Sequence, residues 1–128
     1  MIKINVLKQS NYPVSATVIK RRLTQFLKSM GIVSDSEVSV AIVGEAKMLE
    51  VGKKYLNDGS IHNVLSFTED ELKQGFMYPP DGLVRLGEII VCFPVAVSEA
   101  KIESKLIEDK VYELIEHGAL HLLGIHHE

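Results

Sequence analysis

Four of the five histidines of this 128-residue chain fall in its final stretch, EHGALHLLGIHHE: His117, His121, His126 and His127. His117 and His121 are four residues apart, which on a helix places both imidazoles on one face, one turn apart. Val111, Leu114 and Gly118 form the apolar stripe of that helix, and both histidines lie at its edge, lining a groove beside the core. Gly124 suits a helix end and lets the chain turn back, so that His127 swings to the same point. Three neutral imidazoles converging from a helix and the turn after it make a three-nitrogen zinc site. Its fourth position stays open for water or substrate, as in a catalytic zinc. One zinc per chain, on His117, His121 and His127, is the expectation, with His126 as a supporting or solvent-facing group.

The plainer explanations fit less well. A lone histidine on a helix is usually exposed or a satisfied core residue, and an expression tag lacks internal Leu and Gly. The H-x-x-x-H-x-x-G-x-x-H pattern resembles that of metzincin proteases, which carry their general-base Glu directly after the first histidine. Here that residue is Gly118, so the pattern argues against peptide hydrolysis.

The elements that must position these residues read as β-α-β-α-β-β-α-α. IKINVL alternates like a strand. In SATVIKRRLTQFLKSMGI the apolar residues Val18, Ile19, Leu23, Phe26, Leu27 and Met30 recur at helical spacing, with Gly31 as the stop. EVSVAIV reads as a buried strand, EAKMLEVGKKYLN as a short helix with Met48, Leu49 and Tyr55 inward, and NVLSF as a strand. Residues 68–84 read as a loop, LGEIIVC as a further strand, and Pro94 as the first turn of a helix near 94–102. A longer helix is predicted from Ser104 to about Leu123. The predicted fold is α/β (α+β): a mixed, largely parallel four-stranded sheet with one antiparallel strand, packed with helices in one domain, 1–128.

No apolar run approaches a membrane span, and the start lacks the plan of a secretion signal. The single cysteine, Cys92, allows no internal disulfide, so a cytoplasmic location is expected. The net charge of −3 is unevenly spread. Residues 1–34 carry six Lys or Arg and no acid, whereas the remainder carries eight Lys or Arg against seventeen Asp or Glu. The basic segment, with Lys20, Arg21 and Arg22 in a row, is a candidate phosphate-facing surface, as is Arg85. The plainer reading of the row is a solvated helix face.

Three blocks of the sequence resemble the YbeY endoribonuclease family of rRNA maturation factors. They are EVSVAIVGEAKMLEVGKKYLNDGSIHNVLSF, whose NVLSF is similar to T-[DN]-V-L-S-F; LGEIIVCFPVAVSEA, similar to L-G-[DE]-I-x-I-C; and HGALHLLGIHHE, similar to H-G-x-L-H-L-x-G-[YH]-D-H. The resemblance implies zinc on His117, His121 and His127, and a cytoplasmic endoribonuclease that trims rRNA, notably at the small-subunit 3′ end. It also implies a part in ribosome quality control, with rRNA and the small subunit or its assembly factors as partners and no membrane; a monomer is expected. Ser66 and Asn63, on the strand that in the family faces the metal, become candidates to orient phosphate. His126 and Glu128 are candidates to move protons. The chain departs from the family pattern at Gly52 and Leu56, where the family has Asn and Arg. It departs also at His62-Asn63 in place of Thr, and at His126 in place of Asp. The missing Arg favours a second reading, a zinc-stabilised ribosome-assembly factor that binds RNA and hardly cleaves it.

Overall fold

Strand β1 (Ile2–Lys8) alternates, with Ile2, Ile4 and Val6 turned to the main core and Leu7 largely exposed. The computed structural model of the chain describes residues 1–9, 11–72 and 82–125. Helix α1 (Ala16–Ser29) starts where the Ser15 hydroxyl accepts the Val18 N–H. It buries Ile19, Leu23 and Leu27, spaced four apart, and ends at Gly31, whose φ of 92° lets the Ile32 N–H reach the Leu27 carbonyl. β2 (Ser36–Val43) buries every second residue. α2 (Glu45–Leu56) and β3 (Val64–Phe67) follow, then β4 (Val84–Cys92), α4 (Phe93–Glu103) and α5 (Ile107–Leu122).

The sheet order is β1-β2-β4-β3. β1 and β4 both run parallel to β2, and β3 pairs antiparallel to β4 along the edge. This is the mixed, largely parallel sheet that the alternation of strands and helices predicts. The sheet is packed on both faces. On one face α1, α4 and α5 close over Ile4, Val38, Val40, Ile42, Ile89 and Val91. On the other, α2 and a one-turn helix cover Phe67, Ile90 and Cys92. β4 therefore runs buried without interruption from Ile89 to Cys92.

Three boundaries differ from the sequence reading. Within the expected loop 68–84, Glu69–Leu72 form a one-turn helix, α3, and β4 begins at Val84 rather than Leu86. The last helix begins at Ile107, not Ser104, because Ser104 is left-handed (φ 55°) and closes α4. β4 also carries an irregularity: its register on β2 skips Leu86, and Gly87 takes φ 137°. Only glycine fits there, since a Cβ would stand 2.1 Å from the Phe67 carbonyl oxygen.

Candidate metal centre

Helix α5 seats itself on the sheet through Val111, Leu114, Ile115, Gly118 and Ala119, all buried. The closest approach is at Gly118. A Cβ built there would lie 2.8 Å from Ile89 Cγ2 and 3.4 Å from Ser66 Cβ. A side chain at this position would force Ile89 to shift. The glycine lets the backbone of α5 settle onto β3 and β4, with Ser66, half-buried, facing the turn between the two histidines.

His117 is exposed and His121 half-exposed, one turn apart on the rim of α5. The helix closes as the sequence implies: Gly124 takes φ 77°, and the Ile125 N–H returns to the Leu120 carbonyl. His126, His127 and Glu128 lie outside the described residues. Among the described residues, no group of three or more His, Cys, Asp or Glu side chains is placed to hold a metal ion. Two imidazoles from one helix face, with a carboxylate beside one of them, are nevertheless the donor chemistry that zinc takes.

The carboxylate is Glu71, within the stretch 68–84 that the sequence predicts as a loop. Its Oε1 stands 3.1 Å from His121 Nε2. Two contacts fix it: the Thr68 N–H donates to Glu71 Oε1 at 2.9 Å, and the Glu71 N–H donates to Thr68 Oγ1 at 3.2 Å. This is a capping box at the start of α3. The Thr68 N–H, and after it the His121 imidazole, hold the Glu71 carboxyl below its ordinary range against the opposing effect of burial. The signal for this residue was present as Thr-x-x-Glu after the NVLSF strand.

The other candidates fall in separate places. Asn63 is tied down: its amide donates to both carboxylate oxygens of Glu99, at 3.3 and 3.2 Å, and its Oδ1 accepts the Val64 N–H. Gly52 is buried against Asp58, whose carboxylate contacts His62 Nε2 at 3.0 Å, while Leu56 is exposed at the end of α2. Lys20 and Arg21 are exposed on α1. Arg22 instead lies 3.9 Å over the Tyr112 ring and 3.4 Å from Asp109, locking α1 to α5. An open groove of about 330 Å³ runs along α5 between Arg22 and His117, with Glu113 and Glu116 on its wall. Arg85 is on the sheet, 3.9 Å from Glu37. A larger cleft, about 530 Å³, lies against the opposite face, between α2 and β1–β2; neither His117 nor His121 lines it.

Comparison with known proteins places the chain in a family. The family model for endoribonuclease YbeY matches residues 4–128. The chain is 31% identical to the endoribonuclease YbeY of Clavibacter michiganensis over 126 residues, covering 98% of this chain and 82% of that protein. It is 30% identical to that of Roseiflexus castenholzii, covering 100% and 80%. A solution structure of a Thermotoga maritima protein superposes with a TM-score of 0.62 at 25% identity, covering all of this chain and 75% of the other. By model, identity and coverage together, the chain belongs to the YbeY endoribonuclease family.

Proposed function

We propose that this chain is a zinc-dependent endoribonuclease that cuts single-stranded RNA in rRNA maturation, at the small-subunit 3′ end, and serves ribosome quality control in the cytoplasm as a monomer. The observation that carries this reading is the imidazole pair His117–His121 on the exposed rim of a helix seated by Gly118 against Ser66. His127 is the proposed third donor. Zinc held there supplies a Lewis acid and lowers the pKa of coordinated water towards neutrality. The chain's own residues do the rest. The Ser66 hydroxyl orients a phosphate beside the imidazoles. Leu114, Ile115 and Ala119, buried beneath, seat the helix that carries both imidazoles. Lys20 and Arg21 hold flanking phosphates; Arg85 and Arg22, each beside a carboxylate, contribute less.

A second reading, an assembly factor of the small subunit that binds RNA without cutting it, is favoured by one observation. Exposed Leu56 stands where the family carries Arg, at the end of α2. Incubation of the purified protein with rRNA, with and without a chelator, separates the two. Cleavage that is lost with chelator and in His121→Ala supports the nuclease; zinc-dependent binding without cleavage supports the assembly factor. Elemental analysis should find about one zinc per chain, lost in His121→Ala and largely kept in His126→Ala. Equal loss in both would mean that His126, not His127, is the ligand.

A further inference from the structure

We propose that Glu99 is a positioning residue: it ties the start of β3, the strand that bears Ser66, to α5, the helix that bears His117 and His121. This rests on the site proposed above. Three contacts make the link. The Asn63 amide, just ahead of β3, donates to both carboxylate oxygens of Glu99, at 3.3 and 3.2 Å. From α5 the Lys110 ammonium lies 3.5 Å from Glu99 Oε1. Glu99 itself stands on α4, so one carboxylate joins three elements.

Each end of the link is held by further contacts. Asn63 Oδ1 accepts the Val64 N–H at 2.7 Å, and the Asn63 carbonyl accepts the Cys92 N–H at 2.9 Å, where β4 ends and α4 begins. Turning the Asn63 side chain away breaks the bond that opens β3. Lys110 is buried, and Glu103 and Glu113 hold its ammonium at 2.9 and 3.5 Å. Among the contacts of the described residues, Glu99 alone of these three carboxylates also reaches the end of β3.

The placement of the two ends gives the link its bearing on the site. β3 is an edge strand of four residues, paired with β4 alone, and Ser66 lies three residues past Asn63. Lys110, His117 and His121 stand at i, i+7 and i+11 on α5, which at about 100° per residue puts both histidines within roughly 20° of the direction of Lys110. A tie at Lys110 therefore bears on the rotation of α5 that aims the imidazoles, and a tie at Asn63 bears on the strand that faces them. The gap between Ser66 and the histidines is held from both sides through one carboxylate. A displacement of about 1 Å in such a gap costs on the order of a hundredfold in rate.

The test uses the purified chain with added Zn²⁺ and rRNA, at a temperature where circular dichroism shows every variant folded. E99A removes the link. N63D keeps an acceptor for the Val64 N–H but sets a carboxylate against Glu99. N63D combined with E99Q restores the pair in reverse: the new amide donates to the new carboxylate, and its oxygen is left for Lys110. E99A and N63D should each lose about ten- to a hundredfold in kcat, with KM and zinc content little changed, and the combined variant should recover most of that loss. The Val64 and Cys92 amides should exchange with deuterium faster in E99A and N63D, and at the wild-type rate in the combined variant. A role in stability alone would leave kcat of folded E99A at the wild-type value, and that result overturns the assignment. So does a combined variant no more active than N63D. If the wild-type chain cuts no RNA, the nuclease reading itself fails; amide exchange then decides, and wild-type rates at Val64 and Cys92 in E99A overturn the link as well.

Discussion

Gly118 lies so close to Ile89 that a single added methyl would come within 2.8 Å of Ile89 Cγ2, a fully buried atom group on β4. Together with the burial of Leu114, Ile115 and Ala119, this close approach seats α5 on the sheet, and with it both imidazoles. Gly118→Ala is therefore a probe of site and fold together. Helix propensity alone would favour the alanine by up to about 1 kcal/mol. Overpacking against a β-branched core residue costs roughly 1–3 kcal/mol. The net expectation is a loss of about 1–2 kcal/mol in chemical denaturation, with weaker metal uptake. A stabilised variant would show that α5 has slack that the packing does not suggest.

Lys110 is the one buried cation among the described residues, and its ammonium reaches Glu103 at 2.9 Å and Glu99 and Glu113 at 3.5 Å. Burial lowers its pKa, but Glu103 and the other carboxylates raise it more. In turn Lys110, then Lys105, holds Glu103 low, and Lys105 chiefly holds Glu113 low. A lowered carboxylate contributes stability that is present above its ordinary pKa and lost as pH falls through the folded value. Stability should therefore drop on acidification below about pH 4.5. Lys110→Met, which keeps the length of the side chain, should cost roughly 1–2 kcal/mol at neutral pH, because the carboxylates are partly solvated, and should flatten the acid limb. Denaturation midpoints of both proteins across pH 3–7 measure it; parallel curves would remove Lys110 from the account.

Much of this architecture was legible in the residues. Ile19, Leu23 and Leu27 declared the face of α1, and the alternation of strands and helices declared a mostly parallel sheet. The i, i+4 spacing of His117 and His121 declared their common face. Partners distant in sequence were not legible. Arg22 looked like one of three equal cations until Asp109, 87 residues on, and Tyr112 claimed it. Asn63 looked available for phosphate until Glu99 took its amide. The start of α5 was not legible: Ser104 reads as an N-cap, yet it is a left-handed C-cap, and the exposed Leu106 beyond it carries no signal of direction.

Leu56 tests what the departure from the family pattern means. It is 44% exposed at the end of α2, so a longer polar side chain meets no steric barrier. Leu56→Arg removes an exposed apolar group and adds a cation beside Lys53 and Lys54, both exposed. RNA affinity should rise, and its log–log salt dependence should steepen by roughly 0.7 units, the increment of one added contact to a single strand. Binding titrations at several salt concentrations would show it; an unchanged slope would mean that Lys53 or Lys54 already serves, or that RNA does not pass this point.

The basic row on α1 divides by function once its partners are known. Lys20 and Arg21 are exposed, whereas Arg22 stacks on Tyr112 and pairs with Asp109. Successive helical residues point about 100° apart, so the two exposed cations cannot both meet one phosphate. Each that does so releases condensed counterion, roughly 0.7 units of slope on single-stranded RNA. Lys20→Ser with Arg21→Ser should therefore flatten the salt dependence by about one unit and weaken binding, leaving zinc content and melting temperature unchanged. Arg22→Ser should do the reverse: little change in slope, but a loss of roughly 1 kcal/mol in stability as the stacked cation and its stem leave Tyr112. Affinity against salt, beside thermal melts, gives both readouts. If the double variant keeps the wild-type slope, Lys20 and Arg21 are only a solvated helix face, and the contacts that hold RNA belong nearer to His117.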